Sequence, residues 1–165
     1  MSYRDDTINK FVDKLSSSEP MPGGGVSAAL VAANGVACVL KVCNLSNGKE
    51  KYKEHESLIK ESINKLNELK NTFFDLMDKD AENFKEMEKV FKMPKETKED
   101  KKKRKEALEN ACKICCDVPC ILISSAAESM TIASALMGKS NVSAASDLKV
   151  GMILLYTSLT CAWEN

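Results

Sequence analysis

Val26-Ser-Ala-Ala-Leu-Val-Ala-Ala-Asn-Gly35-Val-Ala-Cys-Val-Leu-Lys41-Val42 carries no charge before Lys41 and is built mostly from Ala, Val and Leu. A helix apolar on all sides is either a membrane span or the central helix of a soluble bundle. With about 15 to 17 apolar residues, and Asn34 and Gly35 in its middle, the stretch falls short of the ~20 that a bilayer requires. It therefore predicts a buried central helix. Its small residues, among them Ala28, Ala32, Gly35 and Ala37, let neighbouring helices come close.

Outward from this stretch the pattern has helical period. Ile8, Phe11, Val12 and Leu15 predict a first amphipathic helix that stops before Pro20 and Pro22. From Glu54 to Phe91 the apolar positions, including Leu58, Ile63, Leu66, Leu69, Phe73, Leu76, Phe84 and Met87, recur mostly every three or four residues with no Gly or Pro between them. That is one very long helix, ~55 Å at about 1.5 Å per residue, long enough to serve a bundle interface with another subunit. Met93-Pro94 ends it, and Thr97 to Asp100 is a capping start for the next helix. That helix turns Ala107, Ala111, Ile114, Cys115 and Val118 inward until Pro119 kinks or restarts it. Ile121 to Met137 reads as a further helix stopped by Gly138, and a last one begins at Ser146-Asp147 with Val150, Ile153, Leu154 and Thr157 inward. With no strand-like alternation anywhere, the expected fold is all-α, a helical bundle in a single domain spanning 1–165. The helical pattern of Leu159 to Asn165 breaks off without a stop signal, which reads as a domain truncated at its C-terminus.

Composition removes several functions. There are 24 Lys+Arg against 24 Asp+Glu, so no basic excess is available for nucleic acid. A single histidine, His55 in a polar helix start, rules out a His-rich zinc site and any scheme needing two imidazoles. The long helix and its successor are too charged to face lipid, which argues against a membrane subunit. Seven cysteines and no secretory leader predict a reduced, cytoplasmic protein. Cys112, Cys115, Cys116 and Cys120 include a C-x-x-C, and 112, 116 and 120 repeat every four residues; four ligands on one helix cannot close a tetrahedron around zinc, and the stripe reads as small buried hydrophobes in a helix seam.

Four polar groups remain. Pro20-Met-Pro-Gly-Gly-Gly25-Val-Ser27 leads into the central helix; free N–H groups there, with Ser27 as a further donor, form either a small anion or carbonyl-oxygen site or a plain tight turn. Asn44-Leu-Ser-Asn-Gly-Lys49 follows the opposite end of that helix as a stop. Asp75, Asp78 and Asp80 lie within the long helix, and Asp80, four residues from both Leu76 and Phe84, falls on its apolar side. A carboxylate there is partly desolvated and suited to proton transfer, unless a lysine of a neighbouring helix pairs with it. Asn141 and Ser146-Asp147 form the fourth group, read as helix caps or as substrate contacts. Between Lys92 and Lys105, eight basic and three acidic residues leave a net +5, a solvated face or an attraction for an anionic ligand tail.

The order of these groups, with Tyr52, Asp78-Lys-Asp-Ala-Glu-Asn-Phe84, Met93-Pro-Lys-Glu-Thr97 and Val118-Pro119 between them, resembles the cyclodeaminase/cyclohydrolase family. That family includes the cyclodeaminase half of formiminotransferase-cyclodeaminase and bacterial methenyltetrahydrofolate cyclohydrolases, and the likeness runs from about Ile8 to Asn165. It implies an all-helical homodimer or higher homo-oligomer with a folate substrate in a cleft between helices at a subunit interface. It implies chemistry at N5 and N10 of tetrahydrofolate, either ammonia release from the 5-formimino compound or hydration of the methenyl bridge, with no metal and no redox cofactor. On that resemblance Asp80 and Asp147 are the expected catalytic carboxylates, with Asp78 as helper. Gly23, Gly24, Gly25, Ser27, Asn44, Asn141 and Ser146 would bind substrate, and Lys49, Lys51 and the run Lys101 to Lys105 would attract its carboxylates. A folate-binding or scaffold relative without activity is the competing reading; it would need neither the glycine turn nor the carboxylates.

Overall fold

The computed structural model describes residues 2–165, and its regular elements are helical. Five α-helices follow one another: α1 (Ile8–Leu15), α2 (Gly24–Ser46), α3 (Glu56–Phe91), α4 (Lys98–Ala135) and α5 (Ala145–Trp163). A short 3-10 turn, Tyr3–Asp5, precedes α1, and two more, Glu50–His55 and Val142–Ala144, lie in the α2–α3 and α4–α5 connections. α2 packs on α3 and α5, α3 on α4, and α4 on α5, so the four long helices close a bundle. The expected all-α bundle with a central helix and one very long helix is what forms.

α2 is the core helix. Val26, Ala29, Ala32, Val36, Val39 and Val42 are fully buried, and its small residues set how near the neighbours come. At Gly35 and Gly151 the backbones of α2 and α5 all but touch: a Cβ at Gly151 would lie 2.8 Å from the Gly35 carbonyl oxygen. At 23 residues α2 exceeds the length expected from its apolar stretch, and both α2 and α4 contain a window long and apolar enough to cross a membrane by length and composition. In α2, 61% of that window is buried inside the bundle, which accounts for its hydropathy. In α4 only 28% is.

α3 forms as expected, with Leu66, Leu69, Phe73, Leu76 and Met77 buried, while Phe91 is exposed. The capping box at Thr97 and Asp100 also forms: the Asp100 N–H donates to Thr97 Oγ1 at 3.0 Å and the Thr97 N–H to Asp100 Oδ2 at 3.1 Å. Gly138 adopts the left-handed φ of 73° that ends the helical stretch.

Four expectations are corrected. α4 is one helix of 38 residues with Pro119 inside it, not two. A proline removes only its own N–H, which here would have met the Cys115 carbonyl, and crowds the preceding turn; the helix nonetheless runs through it, with α3 packed alongside and Asn83 Nδ2 donating to the Ile114 carbonyl at 2.8 Å. The cysteine stripe is not a buried seam, because Cys112, Cys116 and Cys120 are all exposed. α5 buries Leu148, Gly151, Leu155, Ser158 and Ala162, leaving Val150 and Ile153 outside. The helix is apolar on both faces, so periodicity alone does not choose the inner one; the glycine that permits close approach does. Finally, α5 has no side-chain cap: Ala144 holds the N-cap position and Asp147 lies within the first turn.

Candidate active site

The glycine segment and Asp80 meet at the N-terminus of α2. Gly23 is the N-cap and its carbonyl accepts the first helical bond from Ser27 N–H at 3.1 Å, which leaves the Gly24, Gly25 and Val26 N–H groups without helical partners. Asp80 comes from α3, on the face that also carries Phe84 and Met87, and its carboxylate lies against Gly25 at the start of α2, beside the Val26 N–H. The helix N-terminus anticipated as an anion site is thus occupied by the chain's own carboxylate. Gly25 makes this possible: a Cβ there would lie 2.6 Å from Asp80 Oδ2 and 2.7 Å from Oδ1.

Asp80 faces a cavity of about 260 Å³ walled by Pro20, Met21, Phe84, Met87, Cys115 and Pro119, with the side chain of Asn165 at its edge. Burial pushes the Asp80 carboxyl above the ordinary aspartate range, and the Val26 N–H partly offsets this. No cation contributes to the shift, so the alternative of a buried lysine pair does not hold among the described residues. A carboxyl group with a raised pKa in an apolar cavity is suited to take and return a proton.

Asp78, two residues earlier on α3, is committed elsewhere: it accepts the Tyr3 N–H at 2.7 Å and so anchors the N-terminal turn. It lines a second cavity, about 490 Å³, that shares Pro20, Met21 and Phe84 with the first, making one trough. Asp75 is exposed and pairs with Arg4 at 3.4 Å. Ser27 faces away from Asp80, into an apolar hollow with Leu30, Phe74 and Met77.

The other expected site residues gather at the far end of α2. Asp147 accepts from Lys41 Nζ at 3.2 Å. Asn141 docks the α4–α5 connection onto the end of α2: its N–H donates to Ser46 Oγ at 2.8 Å and its Nδ2 to the Leu45 carbonyl at 3.3 Å. Its Oδ1 caps the following turn by accepting the Ser143 N–H at 2.9 Å. Val142 N–H reaches the Tyr52 hydroxyl at 3.4 Å, and Lys51 lies over the Tyr52 ring at 5.5 Å. Asn44 shares a hollow with Lys41, Asn67 and Lys70; Lys49 and Ser146 are exposed. Gly25 touches Asp80 and Lys41 touches Asp147, so the two groups lie ~24 Å apart along α2 at about 1.5 Å per residue. The structure therefore does not bring Asp80 and Asp147 together within one chain. His55 precedes α3, ~37 Å from Asp80 by the same rise, and Lys101, Lys102, Lys103 and Lys105 are exposed at the start of α4. The cavity walls Met21, Cys115 and Asn165 were not foreseen; for Phe84 and Met87 the signal was their spacing of four and seven from Asp80.

The family profile described as formiminotransferase-cyclodeaminase matches residues 7–165. Over 160 residues the chain is 36% identical to the methenyltetrahydrofolate cyclohydrolase of Methylorubrum extorquens, covering 97% of this chain and 77% of that protein. It is 27% identical over 158 residues to the formimidoyltransferase-cyclodeaminase of Gallus gallus, covering 96% of this chain but 29% of that longer protein. The crystal structure of formiminotetrahydrofolate cyclodeaminase from Thermotoga maritima superposes with a TM-score of 0.87 at 24% identity, over 98% of this chain and 76% of that one, which shows the same fold.

Proposed function

The chain belongs to the formiminotransferase-cyclodeaminase family, and we propose that Asp80 carries the proton transfers of its reaction. It is a folate one-carbon enzyme acting on the N5–N10 bridge of tetrahydrofolate, as a methenyltetrahydrofolate cyclohydrolase or a formimidoyltetrahydrofolate cyclodeaminase. The higher identity and the larger matched share of the Methylorubrum protein favour hydration of the methenyl bridge.

The half-buried Asp80 carboxyl in its apolar cavity is the observation that carries this reading. In both reactions a tetrahedral carbon bonded to nitrogen forms from, or collapses to, an amidinium cation. As a carboxylate, Asp80 stabilises that cation and accepts a proton from the attacking water; once protonated, it returns the proton to the departing nitrogen. Ammonia release needs the same donor for the leaving amine. Neither reaction changes the oxidation level of the one-carbon unit, so the reading includes no redox cofactor; proton transfer is assigned to Asp80 and no metal is invoked. The seven free thiols support a reducing, cytoplasmic setting.

The two joined cavities are the place for the folate ring system, while Asp78 shapes the trough by fixing Tyr3. Asn44, Asn141, Ser146, Lys49 and Lys51 belong to the far end of α2. Together with Asp147 they serve the reaction only where a homodimer or larger homo-oligomer carries that end to another subunit's cavity. Incubation with 5,10-methenyltetrahydrofolate and, separately, 5-formiminotetrahydrofolate tests the reading. Accelerated loss of methenyl absorbance is expected, and ammonia release alone would assign the deaminase instead. Turnover of neither by folded protein would leave the inactive relative.

A further inference from the structure

Asn165 stands beside Asp80 with its side chain unused. Lys41 meets Asp147, Gly35 meets Gly151 and Gly25 meets Asn165, so α5 runs antiparallel to α2 and its end arrives at the glycine turn. The Asn165 backbone N–H donates to the Ala162 carbonyl at 3.3 Å and closes α5. Its carboxamide is turned the other way, over the start of α2: a Cβ at Gly24 would meet Nδ2 at 3.7 Å and Oδ1 at 3.8 Å, and one at Gly25 would meet Nδ2 at 2.7 Å. Among the described residues this carboxamide has no hydrogen-bond partner, although it borders the Asp80 cavity.

Two groups therefore converge on one point above Gly25. Asp80 Oδ2 and Oδ1 lie 2.6 and 2.7 Å from it, and Asn165 Nδ2 lies 2.7 Å from it. The carboxylate and the carboxamide are thus no more than ~5.4 Å apart and share no hydrogen bond, a span that a single water oxygen covers at about 2.8 Å from each. The chemistry of the second group fits that use. A lysine here would pair with Asp80 and hold its charge; an amide is neutral, leaves the carboxylate free to act as a base, and still offers N–H donors.

We infer that Asn165 is a second catalytic residue, which together with Asp80 holds the water that attacks the one-carbon bridge. The inference deepens the hydration reading and rests on it. Asn165 Nδ2–H donates to one lone pair of the water and Asp80 accepts one of its hydrogens, which leaves the other lone pair aimed at the bridge carbon. In the addition step the O–C bond forms while the O–H bond facing Asp80 breaks. The proton passes to the carboxylate, and the π pair of the amidinium C–N bond withdraws onto nitrogen and cancels its positive charge. Nothing is oxidised or reduced. The glycines at 24 and 25 make the arrangement possible, because a side chain at Gly25 would fill the point on which the two groups converge.

Steady-state kinetics of the full chain on 5,10-methenyltetrahydrofolate test this. Expected for Asn165→Ala are a kcat ~10- to 100-fold below wild type, a KM within ~3-fold, and unchanged helical circular dichroism, since the residue is exposed. In Asp80→Asn the water has already lost its base, so adding Asn165→Ala should lower kcat by no more than a further ~3-fold, far short of two independent losses multiplied together. Asn165→Asp sets a second carboxylate beside Asp80 and should move the acid limb of kcat/KM upward by ~0.5 pH unit or more; should Asn165→Ala not fold, this shift decides. Wild-type kcat in Asn165→Ala, a loss confined to KM, fully multiplicative losses in the double variant, or an unmoved acid limb would each overturn the role of Asn165 and leave Asp80 standing as the base. A wild type that only releases ammonia, or that turns over neither substrate, would overturn the hydration reading and this inference with it.

Discussion

Gly25→Ala separates the proposed active site from the fold. The added methyl group would lie 2.6 and 2.7 Å from the two Asp80 carboxylate oxygens and 2.7 Å from Asn165 Nδ2, whereas ordinary contacts begin near 3.4 Å. Asn165 can swing away, but Asp80 is held by its place on α3, half-buried against the start of α2. The carboxylate must retreat by roughly 0.7 Å or more, and a misplacement approaching 1 Å costs ~100-fold in rate. Stability moves much less, since overpacking of about 1–3 kcal/mol is partly offset by the ~0.5–1 kcal/mol that alanine gains over glycine in a helix. Gly24→Ala is the internal control: its Cβ would meet only Asn165, at 3.7 and 3.8 Å. Steady-state kinetics and thermal melts of both variants should give a roughly 100-fold loss of kcat for Gly25→Ala and a change within about 3-fold for Gly24→Ala. Equal activity of the two variants would refute the placement of Asp80 against Gly25 as the basis of catalysis.

Because Asp80 must be ionised to act as base, kcat/KM should fall on the acid side at a pH above the ordinary aspartate range, as its raised pKa requires; a flat profile down into that range would contradict the assignment. The native state holds the Asp80 proton more tightly than the unfolded chain, so its contribution to stability is present at acid pH and is lost as pH rises through the native pKa. Denaturant titrations at several pH values should show that slope removed in Asp80→Asn, with no loss of stability at neutral pH. Gly151→Ala would push a methyl group to 2.8 Å from the Gly35 carbonyl oxygen and 2.8 Å from Val39 Cγ2, and should lower stability by about 1–3 kcal/mol, read as a Tm drop of roughly 3 °C per kcal/mol. Dialysis against a chelator should leave turnover unchanged, and restoration of a lost rate by an added divalent ion would disprove the metal-free mechanism.

The bundle was legible because its helices are long and their signals local: an uncharged α2, an uninterrupted α3 and a capping box at Thr97. Asp80 could be read from its position among Leu76, Met77 and Phe84, since a carboxylate on an apolar face identifies itself. Its partner at Gly25 could not, because contact between an α3 carboxylate and the start of α2 is set by how two helices cross. The same limit separated Asp147 from Asp80, for sequence order says nothing of the ~24 Å along α2 between them. Pro119 misled because a local rule predicts a break, whereas the loss of a single N–H leaves the rest of a 38-residue helix intact where α3 and α5 pack on it. On α5 both faces are apolar, and the choice falls to Gly151, whose lack of a side chain lets α2 approach.

The central claim is that the Asp80 carboxylate moves the proton at the one-carbon bridge. Its most direct test is the turnover of 5,10-methenyltetrahydrofolate by the wild-type protein and by Asp80→Asn, which keeps the shape of the side chain and removes its charge. A folded Asp80→Asn protein with kcat reduced by about 100-fold or more is the predicted result, and turnover matching the wild type would contradict the claim.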